Sequence, residues 1–183
     1  MNTDYNVIYS APLSIKIHEH YDHTFFKNDI AVIHLASPLP GFSETAPRVV
    51  VPVTLGSDLT PSGPDFIAVG FGQTRTNQQI RWMNYNRLHF ARLEVVDRAI
   101  CNSDPSQLCT KSVVEGSNVC YGDFGGGLYR NQSQSRFSEI VGLASYRYGG
   151  IACDDKTSDN RIVFTNVAYF ANWINDTKWN MPL

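Results

Sequence analysis

The residues best equipped for chemistry gather in a few short stretches. Gly122-Asp123-Phe124-Gly125-Gly126 sets an acid and an aromatic ring among glycines, two residues after Cys120. Glycine there lets the backbone turn tightly and leaves amide N–H groups bare for a ligand oxygen. The same pentapeptide also reads as a Gly-rich surface turn. A second stretch, His18-Glu19-His20-Tyr21-Asp22-His23, packs three imidazoles and two carboxylates into six residues. Such a run could hold a transition metal, and on an extended strand His18 and His20 share a face. A polar surface loop accounts for it equally and needs no second coordinating region, so the loop is the preferred reading. No metal or cofactor is therefore expected, with His18, His20 and His23 kept as the candidate ligands. His34 and His89 read as structural.

Cys101, Cys109, Cys120 and Cys153 allow two disulfides in three pairings, and spacing alone does not choose among them. No Cys-x-x-Cys is present, which is a poor pattern for zinc. Asn131-Gln132-Ser133 and Asn175-Asp176-Thr177 have the form of glycosylation acceptors. With the cysteines, they point to an oxidising, extracellular setting. The opening Met1-Asn2-Thr3-Asp4-Tyr5 has neither the basic head nor the apolar core of a secretory signal.

These side chains need a scaffold. The 183 residues suit one domain or two small subdomains, and 43% hydrophobic against 17% charged residues excludes a disordered chain. A net charge of −2 without a basic patch argues against nucleic acid as partner. Apolar runs such as Val49-Val50-Val51 and Ile30-Ala31-Val32-Ile33 fall far short of the ~20 residues a membrane helix needs.

Short strands between turn residues predict an all-β sandwich or barrel. Leu13 to His18 alternates, and Ile30 to Leu35 is nearly continuous, so it is expected to be buried on both faces. Leu55 to Pro64 reads as a linker. Phe66 to Phe71, Arg87 to Val95, Phe137 to Tyr146 and Arg161 to Val167 are strand-like. Val167, Phe170, Ala171 and Ile174 form one helical stripe that Asn166 is placed to cap. A shorter helical turn is expected around Val96 to Ile100. The aromatic residues Tyr146, Tyr148, Trp173 and Trp179 are read as packing groups.

In this order, these pieces resemble the chymotrypsin-like serine peptidases from about Ile8 to Trp173. The family's Gly-Asp-Ser-Gly-Gly appears as Gly122 to Gly126, and its catalytic-aspartate signature as Asn28-Asp29-Ile30-Ala31-Val32-Ile33-His34-Leu35. Val69-Gly70-Phe71-Gly72 stands for the strand opening the second barrel. Val141 to Tyr146 stands for the substrate-binding strand, and Val163 to Val167 with Trp173-Ile174 for the end of the domain.

The resemblance implies a double barrel with the first barrel incomplete, the second complete, and a C-terminal α-helix. It divides the chain into a partial first barrel (1–54), a linker (55–65), a second barrel (66–166), a helix (167–176) and a tail (177–183). It pairs Cys101 with Cys109 and Cys120 with Cys153, the shorter loop constraining the unfolded chain less, by up to about 1 kcal/mol. A barrel short of strands has open edges, so marginal stability is expected.

Under the resemblance Asp29 is the remnant of the triad and Phe124 stands at the nucleophile position. A phenyl ring has no lone pair to attack a carbonyl and no proton to hand to a base. The triad's histidine falls upstream of the resemblance. None of His18, His20 and His23 has the family's Ala-Ala-His-Cys surroundings. Asp123 matches the aspartate that pairs with a freed amino terminus and shapes the oxyanion hole, here nominally the N–H groups of Gly122 and Phe124. The specificity pocket maps to Asn118 at its base and to Ser145, Tyr146, Arg147 and Ile162, with Arg147 and Ile162 narrowing it.

Two functions follow as expectations. The first is a secreted, inactive homologue acting by binding a peptidase, an inhibitor or a peptide. The second is a truncated or variant form of an active secreted serine endopeptidase.

Overall fold

The computed structural model describes residues 9–39, 53–58, 60–73, 88–130, 139–148 and 160–181. Nine strands and one helix occur there: β1 (Pro12–Ile17), β2 (Ala31–Leu35), β3 (Thr54–Leu55), β4 (Gly63–Gly70), β5 (His89–Val96), β6 (Gln107–Ser112), β7 (Gly127–Arg130), β8 (Glu139–Arg147), β9 (Arg161–Asn166) and α1 (Ala171–Asn180). Strands β8-β7-β4-β5-β6-β9 run side by side, and β9 pairs again with β8, closing a six-stranded barrel. Closure leaves no open edge within that ring. β3 adds to β8 in parallel, and β1 and β2 form a separate antiparallel hairpin. The fold is all-β and chymotrypsin-like.

Alternation explains the barrel. Along β5, Ala91, Leu93 and Val95 are buried while Phe90 and Arg92 are exposed, the period of two expected of a strand with one face inward. Phe66, Leu93, Leu108, Leu128, Val141, Ile162 and Phe164 fill the interior. Outside it, a 3-10 turn at Arg98–Cys101 carries the Cys101–Cys109 disulfide, packed on Val163 and Tyr146. Asp97 caps that turn through its carboxylate and the Ala99 N–H, 2.9 Å.

Several expectations change. Ile30 is buried, but β2 beyond it is not buried on both faces. Ile15 and Ile33, directly paired, are 58% and 56% exposed. Among the described residues only one face of the two-stranded hairpin has a neighbour to pack on, and apolar character alone does not reveal how many layers cover a strand.

The helix begins at Ala171 and ends at Asn180, not at 167–176. Residues 167–170 form tight turns, and Phe170, without a side-chain cap, precedes the helix. Asn166 is not a cap. It is buried at the end of β9 and its amide donates to the Pro105 carbonyl, 3.1 Å. The linker is shorter than 55–65, because Leu55 lies in β3 and Gly63 opens β4.

Strands β6 and β7 gave no strand signal. Gln107 and Thr110 are polar yet buried, Thr110 Oγ1 donating to the Ile162 carbonyl at 3.0 Å. Among the described residues no helix is long and apolar enough to cross a membrane.

The two environments predict opposite mutational costs. Leu93→Ala in the barrel core should lower unfolding free energy by about 2–5 kcal/mol. Ile15→Ala on the open hairpin face should change it by less than about 0.5 kcal/mol. Urea unfolding of both variants checks this, and equal losses would contradict the division into closed barrel and open hairpin.

Candidate active-site cleft

Asp29 sits just before β2, in a segment forced into shape by its neighbours. Asn28 adopts a left-handed φ of 52°, a conformation asparagine tolerates better than most residues. Its side-chain amide donates to the His20 carbonyl, 2.8 Å. The Asp29 carbonyl accepts from Thr165 Oγ1 on β9 at 2.8 Å, and its Oδ2 accepts from Ser145 Oγ on β8 at 2.6 Å. These two bonds tie the hairpin to the barrel. Among the described residues the Asp29 carboxylate meets a hydroxyl and no imidazole.

The loop between β6 and β7 is built around Asp123. The Gly72 N–H donates to its Oδ1 at 2.7 Å and the Cys120 N–H to its Oδ2 at 3.0 Å. A Cβ at Gly70 or Gly72 would overlap this carboxylate, so both positions require glycine. Gly122 and Gly125 take φ of 93° and 87°, the region where glycine pays no Cβ penalty. The Gly125 N–H donates to the Ala144 carbonyl, 2.7 Å, and the Ala144 N–H to the Gly126 carbonyl, 2.8 Å. So fastened, the loop presents Phe124 on the same cavity as Asp29 and Ser145. Phe124 is 39% exposed, with the Tyr121 ring edge-on to it. The N–H groups of Gly122 and Phe124 donate to no other described residue.

Asn118, Arg147 and Ile162 come together on the far side of β8. Arg147 Nη1 donates to the Val119 carbonyl (3.1 Å) and Nη2 to Asn160 Oδ1 (2.6 Å). Asn118 Nδ2 donates to the Asn160 carbonyl (2.7 Å). Ile162, paired with Arg147 across the sheet, is fully buried against the barrel core. Asn160, which bridges Asn118 and Arg147, carried no signal in the sequence. Tyr146 points elsewhere, stacking on Phe26 at 5.2 Å, and burial raises its phenol pKa.

His18 is a packing group. Its ring lies 4.8 Å from that of Trp173 and 5.3 Å from that of Phe170, joining β1 to α1. Burial lowers its pKa, against the raising effect of Glu19. Glu19 accepts from Trp173 Nε1 at 2.9 Å. His20 stands beside His18, while His23 is exposed in the turn that Asp22 and Lys27 close. Among the described residues no three His, Cys, Asp or Glu side chains group to hold a metal. His89 opens β5 and lines a cavity of about 200 Å³ with Gly70, Asn118 and Asp123.

Cys120 is disulfide-bonded; Cys153 and Asn131 lie outside the described residues. Asn175 is exposed but sits within α1, with Thr177 buried, whereas glycosylation acceptors belong to surface loops.

The arrangement of these loops on a closed barrel agrees with what known sequences show. The trypsin family model matches residues 3–174. The chain belongs to the trypsin family. Serine protease 1 of Rattus norvegicus is 30% identical over 166 residues, covering 87% of this chain and 60% of that protein. Trypsin iota of Drosophila melanogaster is 28% identical over 170 residues, covering 87% and 58%. Transmembrane protease serine 11C of Mus musculus is 26% identical over 175 residues, covering 90% and 38%. The chain thus spans 60% or less of the length of these trypsin-family relatives.

Asp123 offers a direct test of how the loop is held. Gly70→Ala would displace a carboxylate that accepts two charge-assisted bonds, at a cost of about 3 kcal/mol. Urea unfolding should show that loss. A variant within about 0.5 kcal/mol of the parent would contradict the assignment.

Proposed function

We propose that this chain is a non-catalytic member of the trypsin family that acts outside the cell by binding a protein: a peptidase, an inhibitor or a peptide. The observation carrying the reading is Phe124, in the position the family motif gives to serine. Acyl transfer in this family begins with a serine oxygen attacking the carbonyl while a histidine takes its proton. The Phe124 ring supplies no such oxygen.

Two further features support binding without turnover. Family members lacking a triad residue keep ~10³–10⁴-fold catalysis over water from substrate binding and the oxyanion hole. That residual activity requires a pocket that admits a substrate side chain. Here the guanidinium of Arg147, held by the Val119 carbonyl and Asn160, stands at a position matched to that pocket, while Ile162 turns into the barrel core. The barrel, its loops and its cleft persist, which suits a surface that recognises peptidase partners by shape.

A second reading, a variant form of an active secreted endopeptidase, is favoured by the intact Asp29–Ser145 pair and by relatives named as proteases. A fluorophosphonate probe separates the two. The purified chain is expected to label no more than its heat-denatured control. Labelling at any residue would overturn the non-catalytic reading.

A further inference from the structure

A cavity of about 450 Å³ opens between the hairpin and β8. Ile17, Ala31 and Leu143 contribute apolar walls, Tyr21 and Phe124 contribute rings, and Asp29 contributes a charge. Asp29 is half-buried, and Ser145 satisfies one of its oxygens. Its Oδ1 has no hydrogen-bond partner among the described residues.

Among the described residues no cation pairs with it. Lys27 pairs with Asp104 at 3.2 Å, and Lys16 alternates to the opposite face of β1 from Ile17. The carboxylate of Asp22 accepts from the backbone N–H groups of Thr24 and Phe25 instead. A carboxylate partly withdrawn from water and bonded on one side is stabilised by a charged donor on the other. Burial, reinforced by the negative charges of Asp29 and Asp22, raises the Tyr21 phenol pKa. Neutral aromatic rings beside a carboxylate attract cations through their faces.

We propose that this cavity binds a small organic ammonium ion, its charge on Asp29 and its apolar body between Leu143, Ile17 and the rings of Tyr21 and Phe124. A few polar groups in an otherwise apolar concavity are what a small-ligand site requires. The site rests on the non-catalytic reading, in which Asp29 orients no histidine.

Phenethylamine is the probe, titrated into the purified 183-residue chain by calorimetry at neutral pH. Saturable one-to-one binding is expected. 2-Phenylethanol has the same shape without the charge and should bind at least about tenfold more weakly. Asp29→Asn, which keeps the size of the side chain, should weaken the amine by a similar factor. Ala31→Phe fills the cavity from an exposed strand position and should abolish binding, which keeps the proposal testable if the Asp29 variant fails to fold.

N-acetyl-lysine amide provides a second arm. Tighter binding than phenethylamine would assign the ammonium group to a lysine side chain, and weaker binding to a free amine. No saturable heat with phenethylamine, equal affinity for the alcohol, or affinity unchanged in either folded variant would overturn the proposal.

Discussion

One carboxylate organises the cleft. Asp123 accepts the N–H groups of Gly72 and Cys120, drawing the β4 end and the β6–β7 loop around a single charge. Each such bond contributes about 1.5–3 kcal/mol because the acceptor is ionised. The approach is possible only because Gly70 and Gly72 have no side chain. From that anchor the loop must turn at Gly122 and Gly125, and Phe124 is delivered to the cavity beside Asp29. Replacing the ring would leave this backbone path intact, since none of the holding bonds involves the residue's side chain.

The scaffold and the chemistry are therefore separable in this chain. Asp29 and Ser145 join hairpin to barrel through a 2.6 Å bond, a structural task that needs no histidine. Arg147 and Asn118 satisfy each other's surroundings through Asn160 and the Val119 carbonyl. A half-buried guanidinium without acceptors would be costly, and these acceptors remove that cost. The cleft becomes a shaped surface with an acidic, aromatic recess.

Much of this was legible in the residues, and the gaps have physical causes. The glycine-framed loop, Asp29 and the barrel strands β4, β5, β8 and β9 announce themselves through turn residues and alternation. Strands β6 and β7 do not. Thr110 donates to the Ile162 carbonyl of the closing strand, and Gln107, on the opposite face, donates its side-chain amide to the Phe26 carbonyl; a polar residue satisfied by tertiary contacts leaves no periodic trace.

The exposed Ile15–Ile33 pair misleads in the other direction, since hydrophobicity reports suitability for burial and not the presence of a covering layer. Asn166 has the chemistry of a helix cap but is consumed by the Pro105 carbonyl. Asn160 matters only because of where Arg147 points, which no local pattern encodes.

The decisive measurement is peptide-bond turnover by the purified chain against a randomised peptide library, read by mass spectrometry. With a phenyl ring in place of the attacking oxygen, new termini should accumulate no faster than in buffer alone. Sustained cleavage that scales with protein concentration and persists after removal of contaminating peptidases by irreversible inhibition would contradict it.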